Sequence, residues 1–266
     1  MNKEQVLLVE QRESVEWVTL NRPELGNALN ETLVEALVGY FESLREREDI
    51  RVVVLGARGR HFCAGLDLSG DAFADQERTP RAVWKVQRSI ARIYVAMRKC
   101  PQPIIALVHG AACGGGFSLA LASDIRIAGE SAKMNAAYIK IGFTGCDMGS
   151  SYFLPRLVGT SVASELLMTG RFIHAPRALA VNLVSEMVPD DKLELAAQSF
   201  IDDMMMTSPM GLRLTKDALN LSVDASSLEA AMAVEDRHQS LLAFTEDVKE
   251  AGLAFFEKRK PIYRDR

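Results

Sequence analysis

Pro103-Ile104-Ile105-Ala106-Leu107-Val108-His109-Gly110-Ala111-Ala112-Cys113-Gly114-Gly115-Gly116-Phe117-Ser118-Leu119-Ala120-Leu121-Ala122-Ser123-Asp124 is the stretch that decides the fold. From Cys100 to Ser123 there is no Asp, Glu, Lys or Arg, and a run of that length invites a membrane-spanning helix. Pro101, Pro103, His109 and the triple glycine 114–116 interrupt it, however. The run divides instead into a buried strand over 103–108, a turn, and a buried helix over 115–122. The expectation is a soluble α/β protein.

The same alternation extends outward on both sides. Val52-Val53-Val54-Leu55 reads as a second strand buried on both faces, and Ile125–Ala128 as a third. Val6–Val9 and Val15–Leu20 suggest a hairpin. Asn30 is placed to cap a helix whose Leu33, Leu37, Tyr40, Phe41 and Leu44 recur at helical spacing. A further helix runs through Val83, Val86, Ile90, Ile93, Tyr94 and Met97, preceded by an acidic stretch, 70–80, that reads as a surface excursion. After residue 150 the pattern is almost entirely helical, with stops at Gly159, Gly170, Pro176, Pro189 and Pro209. The expected organisation is a core over 1–195 and a helical C-terminal region over 196–266.

Composition narrows the function classes. The 266 residues are 48% hydrophobic and 25% charged, enough to bury a core. A net charge of -4 offers no basic footprint for nucleic acid or an anionic membrane. The four cysteines show no CxxC spacing and no clustering with histidine, which argues against a disulfide framework or a metal site. A reducing cytoplasm is the simplest home, and the N-terminal residues do not form a signal peptide.

Two glycine-bearing turns follow the two most buried strands: His61-Phe62-Cys63-Ala64-Gly65-Leu66-Asp67-Leu68 and His109 to Phe117. Small residues there let a ligand approach the main chain closely. The second turn also opens a helix, whose first N–H groups lack internal partners and sit at the positive end of its dipole. One N–H from each turn would make an oxyanion hole. The plainer reading is that these glycines serve tight turns and close packing.

Taken in order, Leu20-Asn21-Arg22-Pro23 with Asn27-Ala28-Leu29, then Phe62 to Asp67, then Gly114-Gly115-Gly116 with Ala122-Ser123-Asp124, then Pro155-Arg156-Leu157-Val158-Gly159 and a C-terminal Phe255-Phe256-Glu257-Lys258-Arg259-Lys260-Pro261 resemble the enoyl-CoA hydratase/isomerase (crotonase) family over essentially the whole chain. The resemblance implies a spiral core of ββα units followed by helices that join subunits into trimers, often paired as hexamers. It implies an acyl-CoA or enoyl-CoA substrate, with coenzyme A arriving as part of that substrate and no separate cofactor. The thioester carbonyl would rest on the N–H groups of Leu66 and Gly115. Ala28, Ala64, Asp67 and Leu68 would line the CoA path, and Arg22 and Lys258 would meet its phosphates. For Asp67 holding the turn by hydrogen bonding is the plainer role, and for the two basic residues a solvated surface charge is.

The sequence departs from the family where hydration would be done. Hydratases of this family carry two glutamates, at the positions of Ser118 and Tyr138 here, and neither residue is acidic. Hydration needs one group to deprotonate water and another to deliver a proton, so ordinary two-glutamate chemistry is in doubt. The remaining acid nearby is Asp147, in Gly145-Cys146-Asp147-Met148-Gly149-Ser150. Isomerases and a dehalogenase of the superfamily carry an aspartate in this neighbourhood, as base or as nucleophile. The competing reading makes Asp147 a helix N-cap. A single acid suits isomerisation better than hydration. A carboxylate-nucleophile hydrolase or dehalogenase, and a non-catalytic CoA-thioester binder, are the alternatives.

Overall fold

A computed structural model describes residues 5–69 and 79–266. Most of the 70–80 stretch lies outside the described residues. In chain order the strands and helices are β1 (Leu7–Arg12), β2 (Val15–Leu20), α1 (Glu31–Ser43), β3 (Val52–Ala57), α2 (Pro80–Lys99), β4 (Ile104–Val108), β5 (Ala111–Cys113), α3 (Gly115–Ala122), β6 (Ile125–Gly129), β7 (Lys133–Asn135), α4 (Ser150–Thr169), β8 (Ile173–His174), α5 (Ala175–Ala180), β9 (Glu186–Val188), α6 (Leu193–Met205), α7 (Pro209–Ser222), α8 (Leu228–Leu242) and α9 (Glu246–Glu257).

The main sheet has the order β1-β2-β3-β4-β6-β9, antiparallel only at β1–β2 and parallel from β2 onward. A small sheet, β5-β7-β8, runs beside it. Bridges Leu29↔Leu66 and Cys63↔Ala112 extend that second surface backwards along the chain. Each turn of the chain thus places one segment in the main sheet and the next in the small one before the following helix or loop. That repetition is the ββα spiral expected from the resemblance.

Burial explains the arrangement. Val52 to Leu55 are each 0% exposed, as a parallel strand covered on both faces requires. Every residue of α3 is buried, so a helix that is apolar all round sits in the centre rather than at the surface. Asn30 caps α1 by accepting from Leu33 N at 3.0 Å. Gly159 breaks α4 internally with φ 77 and ψ 162, so the expected stop is a kink and the helix resumes to Thr169. Beyond residue 150 the short strands β8 and β9 interrupt the helical pattern. Helix α6 spans the boundary drawn at 195 and packs Leu193, Ala197 and Ile201 against Val15, Trp17, Val52 and Val54 of the sheet. Among the described residues no helix is long and apolar enough to cross a membrane, and no cluster of His, Cys, Asp and Glu could hold a metal ion.

Candidate active site

The two glycine turns meet. Asn27, 0% exposed, is the clamp for the first. Its Oδ1 accepts from Arg22 N, and its Nδ2 donates to Arg58 O and His61 O, all at 2.8 Å. Leu29 N donates to Gly65 O at 2.7 Å and Asp67 N to Leu29 O at 3.0 Å. The Arg22 guanidinium closes the loop from the other side, on Asp67 Oδ2 at 3.0 Å and on Ala28 O. Asp67 Oδ1 accepts from Ser69 Oγ at 2.6 Å and Ser69 N at 3.1 Å. The Ser69 hydroxyl, with Arg22, holds the Asp67 carboxyl below its ordinary pKa.

Gly65 is thereby held at φ +101, a conformation that side chains rarely adopt. A Cβ on it would stand 2.8 Å from Cys113 O and 3.7 Å from Gly115 N. The second turn is pinned by Cys113 N to Cys63 O and by Gly114 N to Asn135 O, both at 2.9 Å. A Cβ on Gly115 would meet Leu29 Cδ1 at 2.7 Å and Tyr94 Oη at 3.1 Å. Leu66 N is the next amide after Gly65, and the space a Cβ on Gly65 would fill lies 3.7 Å from Gly115 N. Among the described residues neither of those N–H groups donates to any acceptor.

Ser118 and Tyr138 face each other behind this space. Ser118 is 0% exposed and Tyr138 6%. Neither hydroxyl makes a hydrogen bond among the described residues. Burial pushes the Tyr138 phenol up to about 12, while the nearby Ser150 and Ser118 hydroxyls pull it down. Neither is an acid–base group at neutral pH.

Asp147 is half-buried beside them. Its Oδ1 accepts from Met148 N at 2.7 Å and from Gln87 Nε2 of α2. Among the described residues its Oδ2 has no partner. Burial raises its pKa, against the lowering pull of Met148 N and Gln87. The N-cap reading of Asp147 does not hold. Helix α4 starts at Ser150 with Gly149 at the cap and no side-chain cap. Met148 (φ 50) and Gly149 (φ 83) are both left-handed, and they turn the chain so that the carboxylate bonds its own neighbour instead. Sequence reasoning missed Gln87, Tyr94 and Ser150. Tyr94 Oη lies 3.1 Å from Gly115 O and 3.2 Å from Met148 Sδ. Ser150 Oγ accepts from Asp147 N at 3.1 Å. Gln87 and Tyr94 share a face of α2 two turns apart.

The remaining candidates lie farther out. Arg22 is no solvated charge: its side chain is 11% exposed and faces Asp67. Ala64 and Leu68 are exposed on the rim, and Ala28 is buried below it. Lys258 is the left-handed C-cap at the end of α9, with φ 53. His61 Nδ1 accepts from Ala111 N at 3.2 Å, and His109 Nε2 lies 2.9 Å from Gly59 O. A cavity of about 1120 Å³ between α2, α4 and α7 shares Tyr94 and Met148 with the site.

A sequence model of the enoyl-CoA hydratase/isomerase family matches residues 10–266. A protein of Mycobacterium tuberculosis named as a probable enoyl-CoA hydratase is 37% identical over 264 residues, spanning 98% of this chain and 93% of its own. The 1,2-epoxyphenylacetyl-CoA isomerase of Escherichia coli is 32% identical over 246 residues, 92% of this chain and 93% of that one. The crystal structure of an enoyl-CoA hydratase from Bacillus anthracis superposes with a TM-score of 0.92 at 32% identity, covering 98% of this chain and 100% of that one.

Proposed function

Since the chain belongs to the enoyl-CoA hydratase/isomerase family, we propose that it isomerises an enoyl-CoA with Asp147 as the single proton-transfer base. The thioester carbonyl rests between Leu66 N and Gly115 N, where negative charge develops as the α-proton leaves. Asp147 takes that proton on Oδ2 and returns it at another carbon. One observation carries this reading. Asp147 keeps an oxygen without a partner among the described residues, whereas Asp67 of the first turn is tied to Arg22 and Ser69, and the two positions where hydratases of the family carry glutamate hold Ser118 and Tyr138, buried hydroxyls with no hydrogen bond among the described residues. Without a pair of carboxylates, activating water and delivering a proton have no separate agents.

The test is Asp147→Asn. Exchange of the α-protons of butyryl-CoA in deuterated water should fall by orders of magnitude, while butyryl-CoA still binds. Unchanged exchange removes Asp147 from the mechanism. An Oδ2 without a partner among the described residues also supports a nucleophilic reading; label from heavy-oxygen water entering Asp147 in a single turnover would select it over proton transfer.

We further place Ala28, Ala64, Asp67 and Leu68 along the CoA path, with Arg22 holding that path's wall and Lys258 near the phosphates. The helical region over 196–266 supplies the oligomerisation surface. Its Phe244, Phe255 and Phe256 are 88%, 80% and 83% exposed, apolar area that a trimer would cover. The four free cysteines suit a reducing cytoplasm.

A further inference from the structure

The first half of α2 is nearly bare: between Arg81 and Ser89 every residue except Gln87 is exposed. That single inward side chain reaches across the site to Asp147 Oδ1. On the same face Ile90, Ile93 and Tyr94 are buried, and Tyr94 Oη touches Gly115 O. One helix therefore contacts both the carboxylate and the glycine turn, with its two contacts roughly 10 Å apart along the axis.

The two carboxylate oxygens of Asp147 are consequently unequal. Oδ1 carries both hydrogen bonds, from Gln87 Nε2 and Met148 N, and Oδ2 carries none among the described residues. We propose that Gln87 is a positioning residue, which locks Asp147 Oδ1 from α2 so that Oδ2 alone is presented to the substrate. The inference rests on Asp147 being the base. An uncharged amide suits this task because it donates to the carboxylate without titrating itself. Among the described residues, the titratable groups around Asp147 are Tyr94 on α2, Tyr138 on the 3-10 turn Ala137–Ile141, and the adjacent Cys146. Burial raises both phenols, so neither carries charge near neutrality. With no cation among these neighbours, the two N–H donors are what favour the charged carboxylate against its burial.

The experiment is the pH dependence of α-proton exchange into butyryl-CoA for the wild type, Gln87→Met and Gln87→Glu. Methionine keeps the length and removes the donor; glutamate sets a second carboxylate against the first. The rate rises with pH as Asp147 ionises. Its midpoint should move up by about one pH unit in Gln87→Met, as expected for losing a hydrogen bond to a charged group, and further in Gln87→Glu. The dissociation constant for butyryl-CoA should stay within about twofold, since the amide of Gln87 is spent on Asp147 Oδ1. The carboxyl of Asp147, followed by carbon NMR and identified by its loss in Asp147→Asn, should report the same ordering without any turnover. Midpoints that coincide with wild type in both variants overturn the role of Gln87, whatever the rate. Asp147→Asn separates the two ideas: an inactive Asp147→Asn beside an unshifted Gln87→Met leaves the base standing and removes Gln87 alone. A fully active Asp147→Asn removes both.

Discussion

Gly65→Ala is the most exacting perturbation of this site, because one methyl group is aimed at the contact between the two turns. The new Cβ would lie 2.8 Å from Cys113 O and 3.5 Å from Cys113 C. Both are main-chain atoms that cannot swing away as a side chain would. An ordinary contact at that oxygen requires the turns to part by roughly half an ångström. Alanine must also hold φ +101, a strained setting worth about 1–3 kcal/mol in its own right. Gly115 N is two residues beyond Cys113, so the movement passes directly to the proposed donor. An oxyanion donor that no longer meets its oxygen typically costs about 2.7–4 kcal/mol of barrier, or a factor of 10²–10³ in rate. Urea unfolding measures the strain, and α-proton exchange in butyryl-CoA measures the chemistry. Gly39→Ala in α1, where nothing lies within 4 Å of the added methyl, is the control and should gain about 0.8–1 kcal/mol from helix propensity. Exchange within threefold of wild type in a folded Gly65→Ala protein refutes the idea that these two turns hold the carbonyl.

Three further outcomes are expected. Asp147 has a folded-state pKa raised by burial, so its protonated form is favoured by folding and the benefit is lost as pH rises through that pKa. Asp147→Asn should therefore flatten this part of the stability–pH profile and be relatively more stable above the midpoint, checked by urea unfolding across pH 4–8 (about the carboxylate range and above). Ser118→Ala removes a buried hydroxyl that bonds nothing among the described residues, so stability should hold or rise, by up to about 1–3 kcal/mol; a fall in exchange without loss of stability would assign that hydroxyl to the substrate. Arg22→Ala strips the charged bonds from Asp67 and Ala28 O and should cost about 1.5–3 kcal/mol in unfolding free energy.

Much of this was legible before any coordinates. Continuous apolar runs such as Val52–Leu55 announce strands covered on both sides, and Asn30 announces the start of α1. The turns at Gly65 and Gly115 were marked by composition alone. What escaped was set by tertiary contact. Strands β5, β7 and β8 are two or three residues long, too short for any period to show. The role of Asp147 against α4 depended on left-handed Met148, a residue with no sequence signal for that conformation. Gln87 was invisible for a different reason: it is one polar position in a helix half that is otherwise exposed, and only the fold reveals what lies beneath it.

The complete burial of α3 bears on how salt should act on this protein. Mobile ions cannot gather at the end of a helix enclosed on every side, so the field at Gly115 is one that added salt leaves largely intact. Coenzyme A phosphates, by contrast, would meet basic groups in open water. Ionic strength should then weaken capture of the thioester while leaving the step at its α-carbon nearly untouched, and a salt titration becomes a way to read the two halves of the reaction apart.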